Sequence, residues 1–165
     1  MAAGRRGGGC LKQTGAAPIL WAACCAAVCS TIIELLLWPI AGEDAIHDLL
    51  RDARLTAAIV MGRSILGAPA GFDPTIMGVA TMVHAVLSLA YTVVLTKLVR
   101  GRSLGAALPA GAAFGLVLYG INLHAFTAIF PWFVAVRGVI TLVAHLVFGV
   151  VAAGVYCFAR RLPRA

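Results

Sequence analysis

Five residues able to hold, donate or accept a proton stand inside otherwise apolar stretches of this chain: Glu34, His84, Asn122, His124 and His145. In such surroundings a polar side chain is costly and commonly functional. Two imidazoles on facing helices can ligate a haem iron or a transition metal, which makes His84 and His145 candidate axial ligands. A row of His and Glu can instead pass protons, because His changes charge near neutral pH. A third account is structural, with each group making one interhelical hydrogen bond worth about 0.6–2 kcal/mol. Arg137 opens the fourth apolar stretch, where a cation opposes the helix dipole. A Glu34–Arg137 ion pair would explain both residues. Cys25 and Cys29, one helical turn apart, have the spacing of a soft-metal pair, although small polarizable packing is the simpler role for them.

The elements that position these groups follow from composition. The chain has 165 residues, is 62% hydrophobic and only 12% charged, with a mean hydropathy of +0.99. Soluble domains are about 45–50% apolar and about 25% charged, so an aqueous fold of this size has too little interior for its apolar side chains. Low charge and abundant Leu, Ile and Val exclude disorder. The expected class is therefore all-α, an integral membrane four-helix bundle forming a single membrane domain over 1–165. Four stretches are long enough to cross about 30 Å of hydrocarbon, near 18–38, 75–99, 104–130 and 134–159, and lipid requires each to be helical. The first stretch exceeds the roughly 7–15 apolar residues of a cleaved signal, and no small-x-small site follows it, so an uncleaved helix is expected.

Charge sets the orientation. Arg5, Arg6, Lys12, Lys97, Arg100, Arg102, Arg160, Arg161 and Arg164 fall on one side, nine of the thirteen basic residues. Arg51, Arg54, Arg63 and Arg137 fall on the other with Glu43, Asp44, Asp48, Asp52 and Asp73. The positive-inside rule then places both termini in the cytoplasm, with a flexible N-terminal segment over 1–17. The net charge of +7 is mostly this topology signal. Nucleic acid is not an expected partner, since that needs basic residues gathered on a folded soluble face. The expected partners are the lipid bilayer and either further copies of the chain or a larger membrane complex.

Residues 40–74 make the long outer loop. Within it Ile46, Leu49, Leu50, Ala53, Ala57, Val60 and Met61 recur at helical spacing, with Asp44, His47, Asp48, Arg51 and Asp52 largely opposite. This predicts an amphipathic helix lying on the outer leaflet or over the bundle mouth. Gly67–Gly71 ends it, and Asp73-Pro74 has the pattern of an N-cap followed by proline at the first helical position. Trp38, Phe130, Trp132 and Phe133 mark the outer boundary as an aromatic belt.

Small residues predict the packing. Gly111 and Gly115 on the third span, with Gly149 and Ala153 on the fourth, predict a tight antiparallel pair. Ala23, Ala27, Ser30 and Thr31 give the first span an inner face. Short connections predict that spans two and three, and three and four, are neighbours. At about 1.5 Å per residue the polar groups lie about 6 Å (Glu34) to about 16 Å (His145) below the outer boundary, within one slab. Thr81, His84, Ser88 and Tyr91 or Thr92 form a polar stripe on the second span. Asn122 follows the Gly111–Gly115–Tyr119 stripe inward, which turns His124 toward a side groove.

The run Asn122-Leu123-His124-Ala125-Phe126-Thr127-Ala128-Ile129-Phe130-Pro131-Trp132-Phe133, the later Ala144-His145-Leu146-Val147-Phe148-Gly149, and Arg54–Gly62 with Phe72-Asp73 resemble a family of small, uncharacterised bacterial inner-membrane proteins. The likeness spans roughly residues 34–157, and extends more distantly to the YagU-like inner-membrane proteins. It implies a multi-pass protein of the bacterial inner (plasma) membrane. Some members carry the label of sodium:proline symporter. Such symporters use many more spans, with inverted repeats and broken helices about a midplane site, and this chain has four spans without a repeat.

No nucleophile–base pair, phosphate loop or zinc spacing is present, so an enzyme is not expected. The expected function is that of a polytopic inner-membrane protein with an accessory or stress-related role. The alternatives are a small ion or proton conductor or transporter using Glu34, His84 and His145, and a haem protein with His84 and His145 as ligands.

Overall fold

The computed structural model describes residues 15–69 and 71–160, and these contain helices, turns and no strand. The expected N-terminal tail before Gly15, with Cys10, and the basic residues Arg161 and Arg164 lie outside the described residues. Five α-helices follow in order: α1 Ala16–Ile40, α2 Ala45–Met61, α3 Pro74–Val99, α4 Leu104–Gly120 and α5 Val139–Ala159. Four segments are long and apolar enough to cross a membrane: α1, α3, α5, and α4 continued to Ala128. At 1.5 Å per residue α1 runs about 37 Å, more than the hydrocarbon thickness of about 30 Å.

The start of α3 is as the sequence predicts, and α2 also has an acidic cap. The Asp44 side chain accepts from the N–H groups of Ile46 (2.9 Å) and His47 (3.0 Å) and caps α2. Donation by the His47 N–H holds the Asp44 carboxyl below its usual range. Asp73 caps α3 through the N–H groups of Thr75 and Ile76, with Pro74 in the first turn. Two boundaries differ from expectation. The third span stays α-helical only to Gly120, then widens into a π turn over Ile121–Ala125 and tightens into a 3-10 turn over Phe126–Ala128. The fourth starts at Val139 instead of near 134, because Pro131–Val136 wind a separate 3-10 turn and extended Gly138 breaks the chain before α5.

Packing centres on α5, which lies against both α4 and α1, while α3 lies against α1 and α2. The expected α4–α5 pair is present. A Cβ on Gly111 would fall onto the Gly149 carbonyl and Ala153, one on Gly115 onto the His145 carbonyl, and one on Gly149 onto the Gly111 carbonyl. These backbones touch because no side chain separates them, the geometry that small-xxx-small spacing permits. The expected pairing of spans two and three is corrected: α3 and α4 meet only lightly. Their short turn joins only their ends, where Leu95, Val99 and Ala107 are buried in one cluster. That cluster, with Ala22, Ala26, Ala152, Ala153, Tyr156 and Cys157, fills the end of the bundle nearest the chain termini (the tail end). The opposite, loop end is not filled.

Helix α2 lies over that unfilled end, which decides between the two placements its amphipathicity allowed. Trp132 Nε1–H donates to Leu55 O (3.0 Å), and Arg54 donates to Ile65 O (3.0 Å) and Gly71 O (3.3 Å), tying the helix to the turns on either side. Its faces also differ from the simple pattern. Asp48 and Arg54 are buried, whereas Ile46 and Val60 are exposed. Asp48 is accommodated by Arg51, whose Nη1 lies 2.6 Å from it.

Gly149→Ala is expected to destabilise the protein in detergent by about 1–3 kcal/mol, the cost of overpacking. Gly78→Ala on α3, where an added Cβ meets nothing within 4 Å, is expected to leave the unfolding temperature unchanged or raised. Equal effects at the two positions in a thermal unfolding series would refute the backbone contact.

Candidate functional site

The unfilled loop end holds a half-open cavity of about 550 Å³. Its wall is apolar for most of its area, with a polar band drawn from every surrounding helix: Ser30, Thr31 and Glu34 from α1, Asp52 and Thr56 from α2, Thr81, His84, Ser88 and Tyr91 from α3, Asn122 beyond α4, and Thr141 and His145 from α5. Four candidates from the sequence, Glu34, His84, Asn122 and His145, therefore share one cavity. The stripe on the second span also faces it, and resolves in favour of Tyr91, since Thr92 is buried away from it.

Three of these groups form a chain. Tyr91 Oη lies 2.7 Å from Asn122 Oδ1, Asn122 Nδ2 lies 3.3 Å from His145 Nε2, and His145 Nδ1 lies 2.7 Å from Thr141 O. Its polarity can be worked out from one end. A backbone carbonyl only accepts, so His145 carries a proton on Nδ1. In the neutral ring Nε2 must then accept, Asn122 must donate through Nδ2, and Asn122 Oδ1 takes the Tyr91 hydroxyl proton. The π turn makes the chain possible. Widening the helix at Ile121–Ala125 sets Asn122 against α3 and α5 together, a use of π-bulges common at functional sites.

His84 is exposed in the cavity wall and approaches the Ala27 carbonyl of α1. Glu34 also lines the cavity; among the described residues it makes no hydrogen bond, and Asp52 and Arg51 act on it only through space. The expected Glu34–Arg137 pair is not formed. Arg137 instead donates from Nε to Leu123 O (2.5 Å) and from Nη2 to Thr127 Oγ1 (2.7 Å). The physical reason is the broken helix: where regular α-turns stop, carbonyls such as that of Leu123 lose their helical donors, and the guanidinium supplies new ones. His124 is exposed and stands edge-on to Tyr119 at 5.6 Å, outside the cavity, as its helical angle predicts.

As a candidate haem ligand, His145 has Nδ1 bonded to the Thr141 carbonyl, the orienting contact usual for a ligating imidazole, while its Nε2 lies 3.3 Å from Asn122 Nδ2. Among the described residues no group of three or more His, Cys, Asp or Glu is gathered closely enough to hold a metal ion. Cys25 and Cys29 are partly buried on α1 and carry no disulfide.

Sequence reasoning missed Asp52, which it assigned to the solvent side of α2. Burial raises its carboxyl above the usual range, opposed by a 2.8 Å bond from Arg51 Nε. The signal available was the i, i+4 spacing of Asp48 and Asp52, which places two acids on one face.

No family model, curated protein or solved structure matches the chain. The four long apolar helices make it a multi-pass membrane protein.

Asn122→Leu is expected to cost about 1–3 kcal/mol by leaving Tyr91 and His145 unpaired, and Tyr91→Phe about 0.5–1.5 kcal/mol. In the Asn122→Leu background Tyr91→Phe should cost almost nothing. Strictly additive losses in the double-mutant cycle would show that the three side chains do not form one chain.

Proposed function

We propose that this protein is a small transporter of the bacterial inner membrane, with both tails in the cytoplasm, in which the cavity is the exchange chamber and Glu34, His84 and His145 are the proton-exchanging groups. One observation carries this reading. Bonds that serve packing alone are pairwise, whereas here polar groups from four spans and the overlying α2 line one half-open cavity, and three of them, Tyr91, Asn122 and His145, are linked in a chain. A mostly apolar cavity of some hundreds of Å³ with a few convergent polar groups is the usual form of a small-molecule site.

The hydrogen-bond chain supplies a coupling step. A proton taken up at His145 Nε2 turns that nitrogen from acceptor to donor. The Asn122 amide must then rotate to present Oδ1 to it, Nδ2 turns to Tyr91 Oη, and the Tyr91 hydroxyl proton is freed toward the cavity. One added proton thus reverses two bonds, changing which groups the chamber offers a ligand. Passage to the tail end requires the apolar cluster there to open, so the described arrangement is the state facing the loop end.

The inner-membrane assignment rests on the resemblance to small bacterial inner-membrane proteins, and the orientation on the separation of charge. All six acidic residues lie in the half of the molecule that carries the outer loop, and among the described basic residues Lys97, Arg100, Arg102 and Arg160 lie at the other end. Lipid is the partner for the exposed Leu20, Trp21, Val28, Ile32 and Leu36 along α1.

In vesicles reconstituted with the wild-type protein, an imposed pH gradient is expected to collapse faster than in protein-free vesicles. His84→Ala and His145→Ala are expected to return the rate to the protein-free value. Wild-type and mutant rates that agree would overturn the transport reading. Separately, reporter domains fused to either tail should be active only in the cytoplasm, and an externally active fusion would reverse the orientation.

A further inference from the structure

We propose that the chamber takes a monovalent organic cation with a bulky apolar body. This rests on the transport reading above and names its ligand class. Among the described residues the wall contains two carboxylates, Glu34 and Asp52, and no Lys or Arg. Cations are present at that end of the molecule, but each is turned elsewhere. Arg51 is held by Asp48 and Asp52, Arg54 by the carbonyls of Ile65 and Gly71, and Arg137 by Leu123 and Thr127. Arg63 lies over the Trp132 ring at 5.5 Å. An anionic ligand would therefore find no described cation in the wall to meet it, whereas a cation would meet Glu34, whose carboxyl bonds to no described residue.

The rest of the wall fits the body of such a ligand. Trp38, Tyr91, Phe126, Phe130, Phe133 and Phe148 all line the cavity. Aromatic faces attract cations, more strongly once water is removed, and they pack against apolar groups. A bare metal ion is a poor occupant, because among the described residues no three acids, imidazoles or thiols are gathered closely enough to hold one. A diffuse organic charge needs no such shell. Arg51 pairs with Asp52, which leaves Glu34 as the single acid of the wall with no cationic partner among the described residues, one acid for one ligand charge.

The pH dependence follows from the groups facing the two acids. Around Asp52 stand Arg51, Asp48 and Glu43, and across the chamber Glu34, His84 and His145. Protonating either carboxylate removes attraction, and protonating either imidazole adds repulsion. Cation affinity should therefore fall as the pH is lowered. Burial raises Asp52, so the fall should begin above the range of a free carboxylate.

The test uses the purified full-length protein in detergent micelles, with tetraphenylphosphonium and tetraphenylborate, ions of nearly equal shape and opposite charge, read by equilibrium dialysis against empty micelles. The wild type is expected to bind the cation at least about tenfold more tightly than the anion, which is about 1.4 kcal/mol. Glu34→Gln, whose folding is checked by its unfolding temperature, is expected to lose most of that preference, and Asp52→Asn part of it. Ala144→Trp, which fills the chamber, is expected to abolish binding of both ions. Should a folded Glu34→Gln protein fail to be obtained, quenching of Trp38 fluorescence in the wild type by the cation and not the anion supports the proposal, and quenching by both overturns it. Equal binding of the two ions would overturn charge recognition while leaving a ligand chamber in place. Binding of neither, together with an unaltered proton flux in Ala144→Trp, would overturn both this proposal and the transport reading.

Discussion

The contact on which the remaining architecture depends is between backbones. At Gly111, Gly115 and Gly149 the helices α4 and α5 approach until carbonyl oxygens occupy the space that side chains would need. In lipid there is no gain from hiding apolar surface, so association must come from close packing and from polar contacts. The glycine contact provides the first. It draws α5 into the middle of the bundle, where α1 packs on its other side. Beyond Gly115 the α4 helix continues for little more than one turn before it widens. The contact that closes one end of the bundle thus stops where the cavity begins.

The widened turn connects the scaffold to the chamber. A regular helix through Asn122 would keep its carbonyl ladder satisfied and would have no use for Arg137 there. Instead the π and 3-10 turns release carbonyls, Arg137 takes up that of Leu123, and Asn122 bridges α3 and α5. Irregular backbone at this depth is tolerated only where it is buried in protein or lines a cavity, and here it does the latter. The same economy governs the charged groups of the outer segment. Each described guanidinium of that segment is spent on a carbonyl, an acid or an aromatic face, and none lines the cavity wall.

Helix α2 shows why an amphipathic pattern underdetermines placement. Its apolar residues recur as for a helix on a lipid surface, yet Ile46 and Val60 point outward while Asp48 and Arg54 are buried. Short-range pairing explains the inversion. Arg51 pairs with Asp48, and the carbonyls of Ile65 and Gly71 accept from the Arg54 Nη atoms, so these polar groups are buried with partners drawn from their own helix and the turns after it. A hydrophobic count cannot register pairings with residues distant in the chain.

Composition and spacing alone determined a great deal: the membrane class, four spans, the cap at Asp73, the glycine-paired helices, and the grouping of Glu34, His84, Asn122 and His145, which line one cavity. These follow from local rules, since hydrocarbon thickness, helical repeat and capping chemistry are read within a few turns. The tertiary structure alone decided that α1 rather than α4 is the chief neighbour of α3 in the spanning bundle, that Arg137 serves the broken helix and not Glu34, and that Asp52 faces inward. Each of those depends on which of several equally available partners lies nearest once the helices are tilted, and a linear sequence carries no distance between residues that only packing brings together.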